Sequence, residues 1–309
     1  MLANILQTLT SELEQTLYLN LNEFRLETSD DELLSRYIGL KLRSEFQAIF
    51  EIGNPDGLIG YEALLRPSTG IDAVSPGFAF TIADNEGKLV KLDRVARTLH
   101  MLNYLTLPDK RGLLFLNVHP KLISSVSAHG KVFETLLHRH SVPTREVVIE
   151  VNDGELQTAA GLRDAIDSYK DCGYRIAIDQ FGNALSKLDR LWRLSPHFVK
   201  FDPCVVKQAE RDGKFRRALP KLIEWVEAMG ARCVITGIEN EIQLDIASNA
   251  GAQLLQGYHL ARPASASAIG RAAPPARQHA PMSGEPHHFG SFSVAVPSLK
   301  SAERKPLRH

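Results

Sequence analysis

The stretch RIAIDQFGNALSKL, Arg175 to Leu188, opens with a short apolar run of strand type. The run ends in one carboxylate, Asp179, then an uncharged amide, Gln180, and then Phe-Gly. A buried strand that stops at an acid and a glycine-containing loop is a common seat of metal or phosphate chemistry. The same few residues therefore bear on both fold and function.

Similar runs recur on either side: FQAIFEI (46–52), IGYEALLR (59–66), LLFLNV (113–118), EVVIEV (146–151), FVKFD (198–202), RCVITGI (232–238) and LLQGYHL (254–260). Between most of them lie amphipathic stretches such as LVKLDRVARTLHMLNYL and KFRRALPKLIEWVEAMG. Continuous apolar strands separated by helices predict a parallel sheet buried on both faces. About eight such units in roughly 220 residues predict an α/β fold, a TIM-like (β/α)8 barrel with an irregular first strand. The alternative is an open doubly wound sheet, disfavoured because no GxGxxG follows a strand.

Upstream, Leu2, Ile5, Leu6, Leu9, Leu13 and Leu17 form one stripe at helical spacing, and TSDDELLSRY reads as a second helix start capped by Ser29 or Asp30. Residues 1–42 are thus expected to be a helical extension, either a cap on the main domain or a dimerisation element. Residues 43–272 form the main domain. Residues 273–309, rich in Pro, Ser, Ala, His and Arg without periodicity, have the composition of a disordered tail.

The 309 residues carry 36 basic and 36 acidic side chains, so bulk charge favours neither nucleic acid nor a membrane surface. No apolar run approaches the roughly 18 residues of a membrane span. The first residues lack a basic start and carry Glu12 and Glu14, so no signal peptide is read and a cytoplasmic location is expected. Cys172, Cys204 and Cys233 lie far apart beside apolar stretches and are expected to be buried, reduced thiols.

In a parallel barrel, chemistry gathers at the C-terminal ends of the strands. The polar residues found there are Glu62, Asn117, Glu150 followed by Asp153, Asp179, Lys200 with Asp202, Thr236 with Glu239, and Gln256. Carboxylates and an amide oxygen suit a hard cation such as Mg²⁺, Mn²⁺ or Ca²⁺. Lys200 and Arg66 add positive charge suited to phosphate. Each residue alone reads as a cap or surface charge; their joint placement points to a site.

The chain resembles the EAL domain family, the cyclic di-GMP phosphodiesterases. The resemblance rests on YEALLRP (61–67), LFLNVHP, VIEVND, IAIDQFG, FVKFD, GIENEIQ and LLQGYHLARP, in the family's order over about residues 43–272. It implies a TIM-like barrel. It further implies metal ligation by Glu62, Asn117, Glu150 and Asp179, a catalytic role for Lys200, and nucleotide contacts from Glu62, Leu64, Arg66, Asp179, Lys200 and Gln256, with Arg66 on a phosphate.

Three positions depart from the family pattern. Gln180 replaces the second Asp of D-D-F-G, which helps hold a second metal. Asp153 replaces the second Glu of E-x-x-E. Thr236 replaces the first Glu of E-G-V-E, the general base, and Glu239 lies three residues too far on to stand in for it. The following loop, NALSKL, lacks the usual second Gly and aromatic. Loss of a general base typically costs ~10²–10⁴-fold. The expectation is therefore a degenerate member with at most one Mg²⁺ or Mn²⁺, acting as a cyclic di-GMP receptor or protein-interaction regulator. Its protein partner is unknown, and a homodimer is one option. The alternatives are an active phosphodiesterase yielding linear pGpG, with Asp202 or Glu239 as a shifted base, and a regulator that binds no nucleotide.

Overall fold

The computed structural model describes residues 9–11, 13–15, 24–29, 31–54, 57–107, 112–125, 129–152, 161–183 and 189–271. The expected tail 273–309, Asp30, Asp153 and residues 184–188 of the NALSKL loop lie outside them. The described chain forms one eleven-stranded sheet. Its strands are β1 (Phe24–Ser29), β2 (Glu32–Tyr37), β3 (Leu40–Glu51), β4 (Leu58–Thr69), β5 (Asp72–Ala73), β6 (Leu113–Asn117), β7 (Val147–Asn152), β8 (Arg175–Phe181), β9 (Phe198–Phe201), β10 (Arg232–Ile235) and β11 (Leu254–Leu255). Pairing of β3 with both β4 and β11 closes eight of them, β3, β4 and β6 to β11, into a barrel, which excludes the open sheet. Seven run parallel. β3 is antiparallel to both its neighbours, so the irregular first strand is a reversed one.

Helices Leu89–Tyr104, His129–Arg139, Leu162–Asp171, Gly213–Ala228 and Glu241–Asn249 follow in the connections and cover the outer faces of the strands. This is why the strands read as continuous apolar runs: both faces are buried. Inside the barrel, Ile49, Leu113, Phe115, Val148, Ala177, Phe198, Val234 and Leu254 form a separate apolar layer, with Phe115 and Phe198 edge-to-face at 5.3 Å. Gly60 completes the layer where no side chain fits: a Cβ there would lie 2.0 Å from the Leu113 carbonyl oxygen.

The N-terminal expectation is corrected. TSDDELLSRY does not start a helix; it spans the turn and second strand of an antiparallel hairpin in which Ser29 pairs with Glu32 and Phe24 with Tyr37. Asp31, one of the acids that read as a helical first turn, stands at φ 64 where the chain reverses ahead of Glu32. Tertiary contact decides the strand: Asn103 on Leu89–Tyr104 grips the β2 backbone, accepting from the Leu33 N–H at 2.9 Å and donating to the Leu33 carbonyl at 2.8 Å. A second tight turn, Ile38–Gly39 at φ 48 and 75, links β2 to β3 with the handedness that hairpins favour. Of the expected helical stripe, Leu9 and Leu13 fall in helical residues 9–11 and 13–15, with Leu13 buried in the core, while Leu2, Ile5, Leu6 and Leu17 lie outside the described residues. The cysteine expectation is corrected too: Cys233 is buried, Cys172 half-buried and Cys204 exposed beside its helix start.

Candidate functional site

Side chains on a strand alternate between its two faces, so the residue two positions on shares a face. Two residues beyond the apolar barrel layer, on every barrel strand, comes a polar one. Phe115 leads to Asn117, Val148 to Glu150, Ala177 to Asp179, Phe198 to Lys200, Val234 to Thr236, Leu254 to Gln256 and Gly60 to Glu62. On the reversed β3 the step runs the other way, from Ile49 to Gln47. Strand-end chemistry is thus a second layer stacked on the first, at the C-terminal mouth.

That layer is bonded to itself. Lys200, 2% exposed, donates from Nζ to Glu62 Oε2 at 2.7 Å and to Glu150 Oε1 at 2.6 Å, with Asp179 Oδ1 at 3.9 Å. Gln256 Nε2 donates to Glu62 Oε2 at 2.8 Å, and Asn117 Nδ2 to Glu62 Oε1 at 3.1 Å. Three donors, Lys200, Gln256 and Asn117, more than offset the burial of Glu62, and its carboxyl is held down at about 2. Glu150 fares otherwise. Burial and the neighbouring Glu62 push its carboxyl well above the ordinary range, and among the described residues its Oε2 has no hydrogen-bond partner. Burial raises Asp179 as well, although Lys200 opposes the shift. Three carboxylates face one ammonium, an excess of acid that calls for a proton or a cation. Among the described residues, no three His, Cys, Asp or Glu are arranged as a metal cage.

At β8 the alternation breaks. Ile178 pairs with Val199 and Phe181 with Phe201, so Asp179 and Gln180 together oppose Lys200. This bulge turns two consecutive residues toward the mouth where an even strand would turn one. Gln180 takes up the strain, a non-glycine residue at φ 57, and its backbone N–H bonds the Asp179 carboxylate. On β10, Thr236 Oγ1 donates to the Phe201 carbonyl at 2.6 Å, which ties its hydroxyl to the neighbouring strand.

Above the layer opens a cavity of about 400 Å³, lined among others by Glu62, Leu64, Asp179, Gln180, Thr236 and Gln256. The fold thus brings most of the sequence-predicted residues to one mouth. Residues 31–263 match the EAL domain family. The chain belongs to that family.

Among the relatives of this EAL domain, the uncharacterized EAL-domain containing protein YkuI of Bacillus subtilis is 28% identical over 224 residues, covering 71% of this chain and 54% of YkuI. The cyclic di-GMP phosphodiesterase RocR of Pseudomonas aeruginosa is 26% identical over 216 residues, covering 67% of this chain and 54% of RocR. The chain thus spans about half the length of these relatives. Among solved structures, BlrP1 of Klebsiella pneumoniae in a manganese and cyclic di-GMP complex superposes with a TM-score of 0.66 at 24% identity, over 73% of this chain and 56% of that one. The FimX EAL domain of Pseudomonas aeruginosa bound to cyclic di-GMP gives 0.64 at 21% identity, over 73% and 91%. At these identities the likeness is one of fold.

Of the expected residues of the EAL domain, Arg66 and Asp202 stand apart from the cavity lining, whereas Glu239 belongs to it. Arg66 Nε donates to Glu45 Oε2 on β3 at 2.7 Å. Asp202 caps helix Pro203–Arg211, accepting from the Cys204 N–H at 2.7 Å. Glu239 pairs with Lys207 at 2.9 Å. Gln47, Lys207 and Tyr258, which also line the cavity, were not among the expected residues. For Gln47 the signal was available: a lone amide inside FQAIF, in step with the other strand-end polar groups once β3 is reversed.

Proposed function

We propose that this EAL domain is a receptor for cyclic di-GMP with little or no hydrolytic activity. One observation carries the reading. The half of the mouth built from Glu62, Lys200 and Gln256 is complete and bonded, while the facing positions hold Gln180 and a Thr236 whose hydroxyl is committed to Phe201. A cavity of about 400 Å³ is of ligand-pocket size. The names of the relatives and the ligands of the structural neighbours supply the nucleotide.

A single hard divalent cation fits the donor chemistry. Glu62, Asn117, Glu150 and Asp179 would hold it, and the Glu150 Oε2 that lacks a partner among the described residues and the excess of carboxylate are the observations that favour it. Such an ion supplies Lewis-acid stabilisation of a phosphoryl oxygen. Gln180 offers a neutral oxygen, not the charge a second ion requires. Lys200 holds the acids in register, and Gln256 orients Glu62. The chain is expected in the cytoplasm, and among the described residues no helix is long and apolar enough to cross a membrane.

The second reading is an active phosphodiesterase. It would need Asp202 or Glu239 as base, and both are already engaged, one as a helix cap and one in an ion pair. Calorimetric titration with cyclic di-GMP in Mg²⁺, Mn²⁺ and EDTA, beside an assay for linear pGpG, separates the readings. Saturable binding with negligible pGpG is expected. Rapid metal-dependent pGpG formation lost in Glu62→Ala would sink the receptor reading, and no binding in any buffer would leave a regulator that takes no nucleotide.

A further inference from the structure

The cavity has two electrostatic halves. Its floor is acidic: Glu62 and Asp179 line it, Glu150 lies beneath, and Lys200 is spent on holding all three. An anionic ligand gains little there, because the ammonium is 2% exposed and its protons already point at carboxylates. Other lining residues differ. Gln180 and Thr236 are neutral, and Lys207, from helix Pro203–Arg211, lines the same cavity. Among the described residues lining the cavity, Lys207 is the one cation whose ammonium reaches water, with its side chain 40% exposed.

Lys207 is not left to wander. Its Nζ donates to Glu239 Oε1 at 2.9 Å, and Glu239 is anchored in turn, its backbone N–H donating to the Gln243 side chain at 2.8 Å. The approach of these two elements depends on Gly237. It stands at φ 73, and a Cβ there would meet Pro203 Cβ at 2.4 Å. The loop after β10 can therefore lie against the start of Lys207's own helix, and that contact brings Glu239 within reach of Lys207.

We propose that Lys207 is a phosphate-binding residue of this cavity, engaging a phosphodiester of the nucleotide without any metal, and that Glu239 positions its ammonium and competes with the phosphate for it. The proposal rests on the receptor reading above. A compact ammonium with rotatable donors can take a phosphate oxygen as a point charge. The neutral Gln180 and Thr236 line the same cavity, and Glu239 is the acid there that holds the ammonium. Because the pair is half-exposed, it contributes little to stability, and its removal leaves the fold intact.

The test is calorimetric titration with cyclic di-GMP in EDTA, at two salt concentrations, with thermal midpoints recorded for each protein. Lys207→Met is expected to weaken binding on the order of tenfold, the scale of one charge-assisted hydrogen bond to an exposed partner, and to flatten the salt dependence. Lys207→Arg is expected to retain most of the affinity. Glu239→Gln is expected to tighten binding, and to do so only while Lys207 is present. Unchanged affinity in Lys207→Met with a normal midpoint would overturn the assignment while leaving the receptor reading in place. An equal loss in Glu239→Gln would make the pair a structural brace and overturn it as well. Failure of the unaltered protein to bind in EDTA while it binds in Mg²⁺ or Mn²⁺ would overturn the assignment alone, and failure in all three would remove both.

Discussion

Lys200 and Glu150 meet inside the barrel at 2.6 Å, on strands that are not neighbours, and both side chains are out of water. The two partners are unequal. Lys200 is the sole ammonium in contact with Glu62, Glu150 and Asp179 among the described residues, and those carboxylates raise it further above its ordinary value. Glu150 is itself pushed toward the neutral acid. Lys200→Met strips the acids of their counter-charge and is expected to cost about 3–5 kcal/mol. Glu150→Gln, close in shape to the protonated acid, is expected to cost about 1 kcal/mol or less. Urea unfolding at neutral pH compares them, and equal costs would contradict this charge assignment.

His100 sets an acid limit. It is buried on helix Leu89–Tyr104 with Nδ1 2.8 Å from Ser44 Oγ, and burial, aided by Arg66, holds its pKa down at about 3. The unfolded chain takes up this proton near pH 6.5 and the folded chain does not. The stability is complete above pH 6.5 and drains away as pH falls toward 3, by at most about 1.4 kcal/mol per unit. His100→Gln is expected to lose about 2 kcal/mol less than the unaltered protein between pH 7 and 4.5. Parallel pH profiles for the two would argue against a neutral buried imidazole.

The bulge at β8 makes Gln180 sensitive to backbone shape. At φ 57, Asn or Asp is tolerated better than Gln, and a β-branched residue worse. Gln180→Asn is expected to keep or raise the thermal midpoint, and Gln180→Val to lower stability by about 1–3 kcal/mol. Calorimetric melting decides it, and a Val variant as stable as the parent would deny the strain.

Arg66 and Glu45 are 39% and 34% exposed, so their ion pair is worth at most about 1 kcal/mol to folding. Its interest lies in binding. If the nucleotide takes Arg66, it must first displace Glu45. Arg66→Ala is expected to weaken cyclic di-GMP binding at an unchanged midpoint, and Glu45→Gln to strengthen it. Titrations in which neither variant differs from the parent would place the ligand away from Arg66.

Restoring hydrolysis takes two changes at once. Gln180→Asp supplies charge for a second cation in a backbone conformation that Asp accepts, and Thr236→Glu supplies a base at the loss of the Phe201 tie. The metal and the base act on one water, so their effects are coupled. Neither single variant is expected to form pGpG. The double variant is expected to do so in Mn²⁺ and not in EDTA. A double variant that binds the nucleotide yet stays inactive would locate the fault in the NALSKL loop.

The barrel was legible because each buried strand announces itself as an apolar run, and the site because polar residues recur at the ends of those runs. What escaped depends on contacts remote in sequence. ELLSRY becomes a strand because Asn103 holds its backbone. The reversal of β3 hides in FQAIFEI, whose apolar pattern is the same in either direction. The pairing of Asp179 and Gln180 at the mouth comes from a bulge that no periodicity encodes. Arg66 could be recognised as a cation from its position, but its bond to Glu45 depends on the register between β3 and β4.

The reversed strand has a consequence for how the chain is made. Phe50 and Glu51 on β3 find their partners in Leu255 and Leu254, and Phe46 pairs with Ala264. During synthesis β3 is the first barrel strand to leave the ribosome, and it waits for almost the whole barrel to follow. Until Leu254 emerges, the nascent chain carries two unmatched strand edges, on β3 and β10, each a template for wrong pairing. Seams of such long sequence separation close slowly. A chain cut short of Leu254 keeps every polar group from Gln47 to Thr236 yet has no ring to hold them in.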